Sequence, residues 1–227
     1  SQSMVDQVYG ITGALLGSAL LLAWPQRKDG KTVAGMVLLL LVFAGVAAGP
    51  VWRKYQVRQL RADQFPVLGN FEQVEETELW RPNYFSYTGL GRYSLITNFA
   101  SQGAFGLEVD ASVGGWPGVD FDAGDSDWSG YSQFAFDLYN PASEFILRLR
   151  IDDAGDCSTY DRRFNHELLI DKGWNRVGIP GADIRTGPAE RELNMRAIRR
   201  VVLFISNTDG PRRFFLDNIR LTKEEKE

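Results

Sequence analysis

Two long uncharged runs near the N-terminus limit what this chain can be more than any other feature of it. Residues 8–24 (VYGITGALLGSALLLAW) and 32–51 (TVAGMVLLLLVFAGVAAGPV) carry no charged side chain over 17 and 20 positions. At about 1.5 Å per residue, helices of this length cross a hydrocarbon core of about 30 Å. A helix on the surface of a soluble domain would show a polar face, and the second run has none. Residues 1–52 are therefore expected to form a transmembrane helical hairpin. The connecting PQRKDGK is charged and turn-forming, which makes the two helices antiparallel neighbours. Gly13 with Gly17 and Gly45 with Gly49 give the small-residue spacing that lets helix backbones approach. Trp24 and Trp52 close the runs where indole rings favour the interface.

Orientation rests on basic residues. Arg27, Lys28 and Lys31 mark the loop as cytoplasmic, and Arg53, Lys54, Arg58 and Arg61 make the same claim for the segment after the second run. The tight loop is the more constrained element and residues 1–7 hold no Lys or Arg, so the expected topology is loop in, both ends out. That makes a multi-pass cell-membrane protein with an extracytoplasmic, periplasmic C-terminal domain. SQSMVDQ has no basic stretch of the kind that opens a signal peptide, so the chain reads as a piece of a longer protein. The run from Val5-Asp6-Gln7-Val8 to Gly17 resembles the last membrane segment of VanZ-like proteins, with Gly10 where that family has Asn. The resemblance implies further helices upstream and a cell-envelope setting.

After residue 52 the chain changes character, carrying 22 basic and 27 acidic residues. This mild acidity excludes the basic surface that nucleic acid requires. Residues 53–68 are a basic juxtamembrane connector, helical in propensity and stopped by Pro66. Residues 69–223 suffice for one buried core, and 224–227 form a charged tail. Short apolar runs separated by Gly, Pro, Asn, Asp and Ser predict strands at 71–74, 93–99, 105–109, 118–121, 133–139, 144–151, 162–170, 175–179, 200–206 and 214–222, which together argue a β-sandwich. One helical turn or two is expected at 192–198. At the centre, Phe134, Phe136 and Leu138 alternate with Asp137 and Tyr139, and Leu147, Leu149 and Ile151 with Arg148, Arg150 and Asp152. With Pro141-Ala-Ser between them, these two runs read as a hairpin with one apolar face and one polar one.

Several motifs of this region fall in a telling order: Asn70-Phe71-Glu72, Asp127-Trp128-Ser129-Gly130-Tyr131, Leu149-Arg150-Ile151-Asp152, Tyr160-Asp-Arg-Arg-Phe164, Gly173-Trp174-Asn175 and Phe215-Leu-Asp-Asn-Ile-Arg-Leu221. Together they resemble a galactose-binding-like jelly roll, the scaffold of many non-catalytic carbohydrate-binding modules. The resemblance implies an all-β jelly-roll sandwich whose partner is a glycan or envelope polysaccharide. The same scaffold serves adhesion and assembly, which leaves a protein partner as the alternative. It also implies a structural calcium between the opening and closing strands, carried onto Glu72 and Asp217.

Catalytic material is thin. His166 is the only histidine, so any triad or histidine metal site would rest on it, and nothing catalytic stands beside it. Cys157 is the only cysteine and forms no intramolecular disulfide. Asp120, Asp122, Asp125 and Asp127 cluster, but Gly falls fifth rather than sixth from Asp120 and no Glu stands at twelve, which fails the EF-hand pattern and reads as a solvated turn. Sugar binding needs an aromatic platform and planar polar groups. The outward face of the central strands offers Tyr139, Arg148, Arg150, Asp152, Tyr160 and Arg163, and loops offer Trp80, Tyr84, Tyr87 and Trp116. The alternative for these residues is a salt-bridged, solvated face, with Trp80 and Trp174 in the core.

Overall fold

The structure, a computed structural model, describes residues 30–82, 92–111, 115–206, 210 and 212–224. The chain divides into two compact units, Ser1–Gln59 and Leu60–Glu227. The described part of the first is helical. Helix α1 (Gly30–Gln64) is long and apolar enough over Val33–Gln64 to cross a membrane, and its Leu38, Leu41, Val46 and Trp52 are exposed. It absorbs the expected second span and runs on through the basic residues to Gln64, where Pro66 prevents continuation. The expected first span, and with it the VanZ-like segment, lies outside the described residues. Among the described residues one helix is long and apolar enough to cross a membrane.

The second unit is a sandwich of two antiparallel sheets. Its strands are β1 (Val67–Gly69), β2 (Trp80–Pro82), β3 (Arg92–Ile96), β4 (Gly106–Ala111), β5 (Gly118–Ser126), β6 (Gln133–Asn140), β7 (Phe145–Asp153), β8 (Phe164–Ile170), β9 (Gly173–Pro180), β10 (Ile198–Phe204) and β11 (Arg212–Thr222). One sheet runs β3-β4-β11-β6-β9, with β1 also paired to β11; the other runs β2-β5-β10-β7-β8. Alternation places the core as expected. Phe134, Phe136 and Leu138 of the first sheet face Leu147, Leu149 and Ile151 of the second, and all six are buried.

The central pair is nevertheless no hairpin. β6 bonds to β11 and β9, whereas β7 bonds to β10 and β8, so residues 141–144 cross from one sheet to the other. Asn140, itself buried, holds this arch: its Nδ2 donates to the carbonyls of Ser143 at 3.0 Å and Asp171 at 3.2 Å, while its Oδ1 accepts the Ala142 N–H at 3.0 Å. The polar faces of the two strands consequently look out from opposite sides of the sandwich.

Three further expectations change. Residues 71–74 form no strand, because Glu76, fully buried, accepts the N–H groups of Asn70, Phe71 and Gln73 and folds them into a loop. Phe71 takes φ 58° there, in the left-handed region, with its ring in the core. Residues 192–198 form no helix, since the N–H of Leu193 goes to Arg185 O and that of Asn194 to Asp153. The helix of this region is α2 (Gly181–Thr186), earlier in the chain. Strand β5 extends to Ser126 and takes the aspartate cluster into or beside the sheet, each acid with its own partner: Asp120 with Arg200, Asp122 with Arg81, Asp125 with Arg199 and Asp127 with Ser129.

Replacing Glu76 by Ala strands three backbone donors in a buried loop. Urea unfolding of Glu76→Ala should show a loss of about 1–3 kcal/mol, whereas Glu144→Ala, on the exposed arch, should be neutral.

Candidate functional site

The outer face of the five-stranded sheet carries a groove of about 460 Å³ lined by Trp116, Arg148, Leu149, Arg150, Tyr160, Arg163, Asn165, His166, Glu167 and Phe204. Its floor follows from strand periodicity. With Leu147, Leu149 and Ile151 turned into the core, β7 must send Arg148, Arg150 and Asp152 outward, and register sets Phe204 of β10 and Glu167 of β8 beside Arg148, with Asn165 beside Arg150. Side chains two apart on a strand share a face, so Arg150 reaches Asp152 bidentately, with Nε–Oδ1 and Nη2–Oδ2 both 2.7 Å and both side chains largely buried. Arg148 Nε meets Glu167 Oε1 at 3.0 Å. These pairs fix the guanidinium planes before any ligand arrives.

Two aromatic groups bound the groove. Trp116 packs edge-on to Phe204 with centroids 5.9 Å apart. Tyr160, mostly exposed, lies on the β8 side, where its carbonyl accepts Asn165 Nδ2 at 2.8 Å and its ring carries the Arg163 guanidinium at 5.9 Å. The segment 154–163 that presents them is held by a buried anchor. Asp153 receives both terminal nitrogens of Arg191 at 2.7 Å, the Asn194 N–H at 2.6 Å and the Gly155 N–H at 2.9 Å. Burial pushes this carboxyl up, but Arg191 and the two amides outweigh it and hold it at about 2. Cys157 lies in the same anchor, its Sγ 3.0 Å from Arg191 Nη2, and burial pushes its thiol up. On β5, across Val202 from Arg150, burial also raises Asp120, despite Arg200 and Arg81 beside it.

The structure brings together five of the sugar-site candidates, Trp116, Arg148, Arg150, Tyr160 and Arg163, with Asp152 bracing Arg150. It separates two others, Tyr139 and Trp80. Tyr139 lies on the opposite sheet, its ring stacked 4.2 Å under Phe99 and 5.3 Å from Trp174, because the arch turns β6 and β7 outward on different sides. Trp80 is fully buried, its Nε1 donating to Leu68 O at 2.8 Å and its ring against Phe121, so it is core and unavailable to a ligand. Trp174 is the reverse case, expected in the core and found about half exposed. Tyr84 and Tyr87 lie outside the described residues. Asn165, Glu167 and Phe204 escaped the sequence reading; cross-strand register would have found them, and that requires the sheet order. His166 is exposed on edge strand β8, stacked beside Phe164.

Glu72 and Asp217, the pair implied for calcium, both serve the loop after β3. Glu72 Oε1 accepts the N–H groups of Ala104 at 2.8 Å and Phe105 at 3.0 Å. Asp217 Oδ2 accepts those of Ser101 at 2.6 Å and Gln102 at 2.8 Å, and its Oδ1 that of Asn218 at 2.7 Å. Gly103, at φ +64°, passes so near the Glu72 carboxylate that a Cβ would overlap it. Calcium needs oxygen lone pairs turned toward it. Here amide donors occupy Glu72 Oε1 and both oxygens of Asp217.

Comparison with known proteins bears on this geometry. Residues 73–188 match the model of a family described as "Carbohydrate binding domain (family 11)". A family 11 carbohydrate-binding module from Clostridium thermocellum, in complex with a β-1,3-1,4-mixed-linked tetrasaccharide, superposes with TM-score 0.54 at 20% identity, over 71% of this chain and 96% of that one. A family 30 module of a Clostridium thermocellum cellulosomal cellulase does so with TM-score 0.51 at 15% identity, over 65% and 93%. An exo-β-agarase matches with TM-score 0.53 at 15% identity, over 71% of this chain and 25% of its own. These likenesses establish the two-sheet fold. No curated protein sequence matches the chain.

The Asp153 anchor has a measurable signature. Its carboxyl titrates at about 2 when folded against 3.8 unfolded, so its contribution is complete above pH 4 and is lost as pH falls toward 2. Unfolding free energy should drop by about 2 kcal/mol over that window in the wild type, and the Asp153→Asn profile, followed by circular dichroism, should be flatter by that amount.

Proposed function

Given that the chain belongs to the family 11 carbohydrate-binding domains, we propose that the outer face of the β2-β5-β10-β7-β8 sheet holds a glycan chain without chemically altering it. The observation that carries this reading is the meeting, in one groove of about 460 Å³, of aromatic side chains with a floor of pre-oriented arginines. Apolar sugar faces stack on rings such as Tyr160 and Trp116, while hydroxyls take planar hydrogen-bond partners from Arg148 and Arg150. A volume of this size suits a few sugar rings rather than a macromolecular face. A mixed-linked β-glucan, the ligand named for a structural relative, is the first to try.

We propose further that α1 anchors the protein in a membrane with the glycan-binding unit outside the cytoplasm. Support comes from mean hydropathy of 2.3 and from apolar side chains exposed along the helix, a surface that water does not favour. Protease applied to spheroplasts, whose outer envelope is opened while the inner membrane stays sealed, should release the sandwich, and only detergent should extract the helix. Protection of the sandwich until lysis would place it in the cytoplasm.

For the groove itself, titration calorimetry with the mixed-linked tetrasaccharide should show Tyr160→Ala and Trp116→Ala each weakening affinity about three- to tenfold. Tyr139→Ala and Trp174→Ala, on the opposite sheet, should leave it unchanged. The reverse pattern would move the site to the other face.

A further inference from the structure

The glycan-binding face carries a charge pattern that a neutral sugar leaves unanswered. Its arginines are matched to acids: Arg200 with Asp120 at 2.8 Å, Arg150 with Asp152 at 2.7 Å, Arg148 with Glu167 at 3.0 Å, and Arg81 with Asp122 at 3.8 Å, the last acid being shared with Arg61 at 3.4 Å. Arg163 is the exception. Among the described residues no carboxylate pairs with it; its Nε donates to Asn165 Oδ1 at 3.3 Å and its plane lies by the Tyr160 ring. Both groups orient the guanidinium and neither neutralises it. The terminal nitrogens, Nη1 and Nη2, remain as a parallel pair of donors at the groove lining.

We propose that Arg163 is the receptor for a carboxylate on the sugar, and that the groove therefore selects uronate-bearing glycans over neutral ones. The proposal rests on the glycan reading of this groove and specifies its substrate class. A planar carboxylate matches the terminal guanidinium edge with two parallel hydrogen bonds, each about twice as strong as one to a neutral hydroxyl. The fork is already oriented, since Asn165 fixes Nε and Tyr160 supports the plane, so little side-chain freedom is lost on binding. Burial and the charge of Arg150 lower the Arg163 pKa, Asp152 offsets them only in part, and a bound anion would complete the compensation. The ring of a hexuronate supplies the rest: its apolar face lies on an aromatic side chain while the carboxylate at C6 projects from the edge.

The test compares two ligands with one backbone, a β-1,4-linked oligoglucuronate and its carboxyl-reduced form, titrated into the full chain in detergent. The wild type should bind the uronate about tenfold more tightly, and the preference should fall as salt rises. Arg163→Gln should erase the preference, the ratio of the two affinities falling to about one whatever the change in affinity for the neutral form, and Arg163→Lys should restore part of it. Equal affinity of the wild type for both ligands, or equal affinity for a sulfated oligosaccharide, overturns the carboxylate assignment and leaves the glycan reading standing. Failure of the folded wild type to bind the uronate, the reduced form and the mixed-linked β-glucan overturns both.

Discussion

The arch at Asn140 decides where everything else in the sandwich can act. One amide side chain, buried and bonded at both ends, turns the chain from one sheet into the other. A tight hairpin would have laid β6 beside β7 and put Tyr139 on the same surface as Arg148 and Arg150. The crossing instead gives each sheet its own outer face. One becomes a groove of arginines between aromatic side chains, and the other is covered by Phe99, Tyr139, Phe215 and Trp174 in mutual contact. The core is indifferent to the choice, because either connection buries the same Phe and Leu side chains.

That indifference explains what could be read in advance. Alternation names the inward residues of β6 and β7 correctly and so identifies Arg148, Arg150 and Asp152 as outward, yet it says nothing about which sheet each strand joins. Most predicted strands lie within a few residues of those in the structure, because apolar runs bounded by turn residues are a local signal. The failures arise from partners distant in sequence or from side-chain traps. Residues 71–74 looked extended until the carboxylate of Glu76 drew their amides together. Residues 192–198 looked helical, but their N–H groups are claimed by Arg185 and Asp153. Trp80 fits a loop or the core, and the alternative reading places Trp174 with it in the core; only the strand partner, Phe121 for Trp80 and Tyr139 for Trp174, separates the buried indole from the exposed one.

Buried carboxylates act in this domain chiefly on backbone amides. Glu76, Asp217 and Asp153 each gather two or more N–H groups from loops that have no ladder to join, and burial strengthens such bonds as much as it penalises their loss. The result is a set of loops held by carboxylates rather than by ladder bonds. The loop carrying Tyr160 and Arg163 benefits most, since it hangs from Asp153 at one end and joins edge strand β8 at the other. Its exposed positions are thereby presented in one arrangement rather than sampled among many.

The pairing of β1 with β11 has a mechanical meaning. Val67 lies opposite Arg220, and the Leu221 N–H reaches Pro66 O at 3.0 Å, so the chain enters and leaves the sandwich at adjacent points on one side. A domain with neighbouring ends can be spliced into a longer polypeptide as a single insertion without reshaping its host. Tension through those two ends would fall on this three-residue strand first, opening it bond by bond as a zipper, while the groove on the other sheet stayed unloaded.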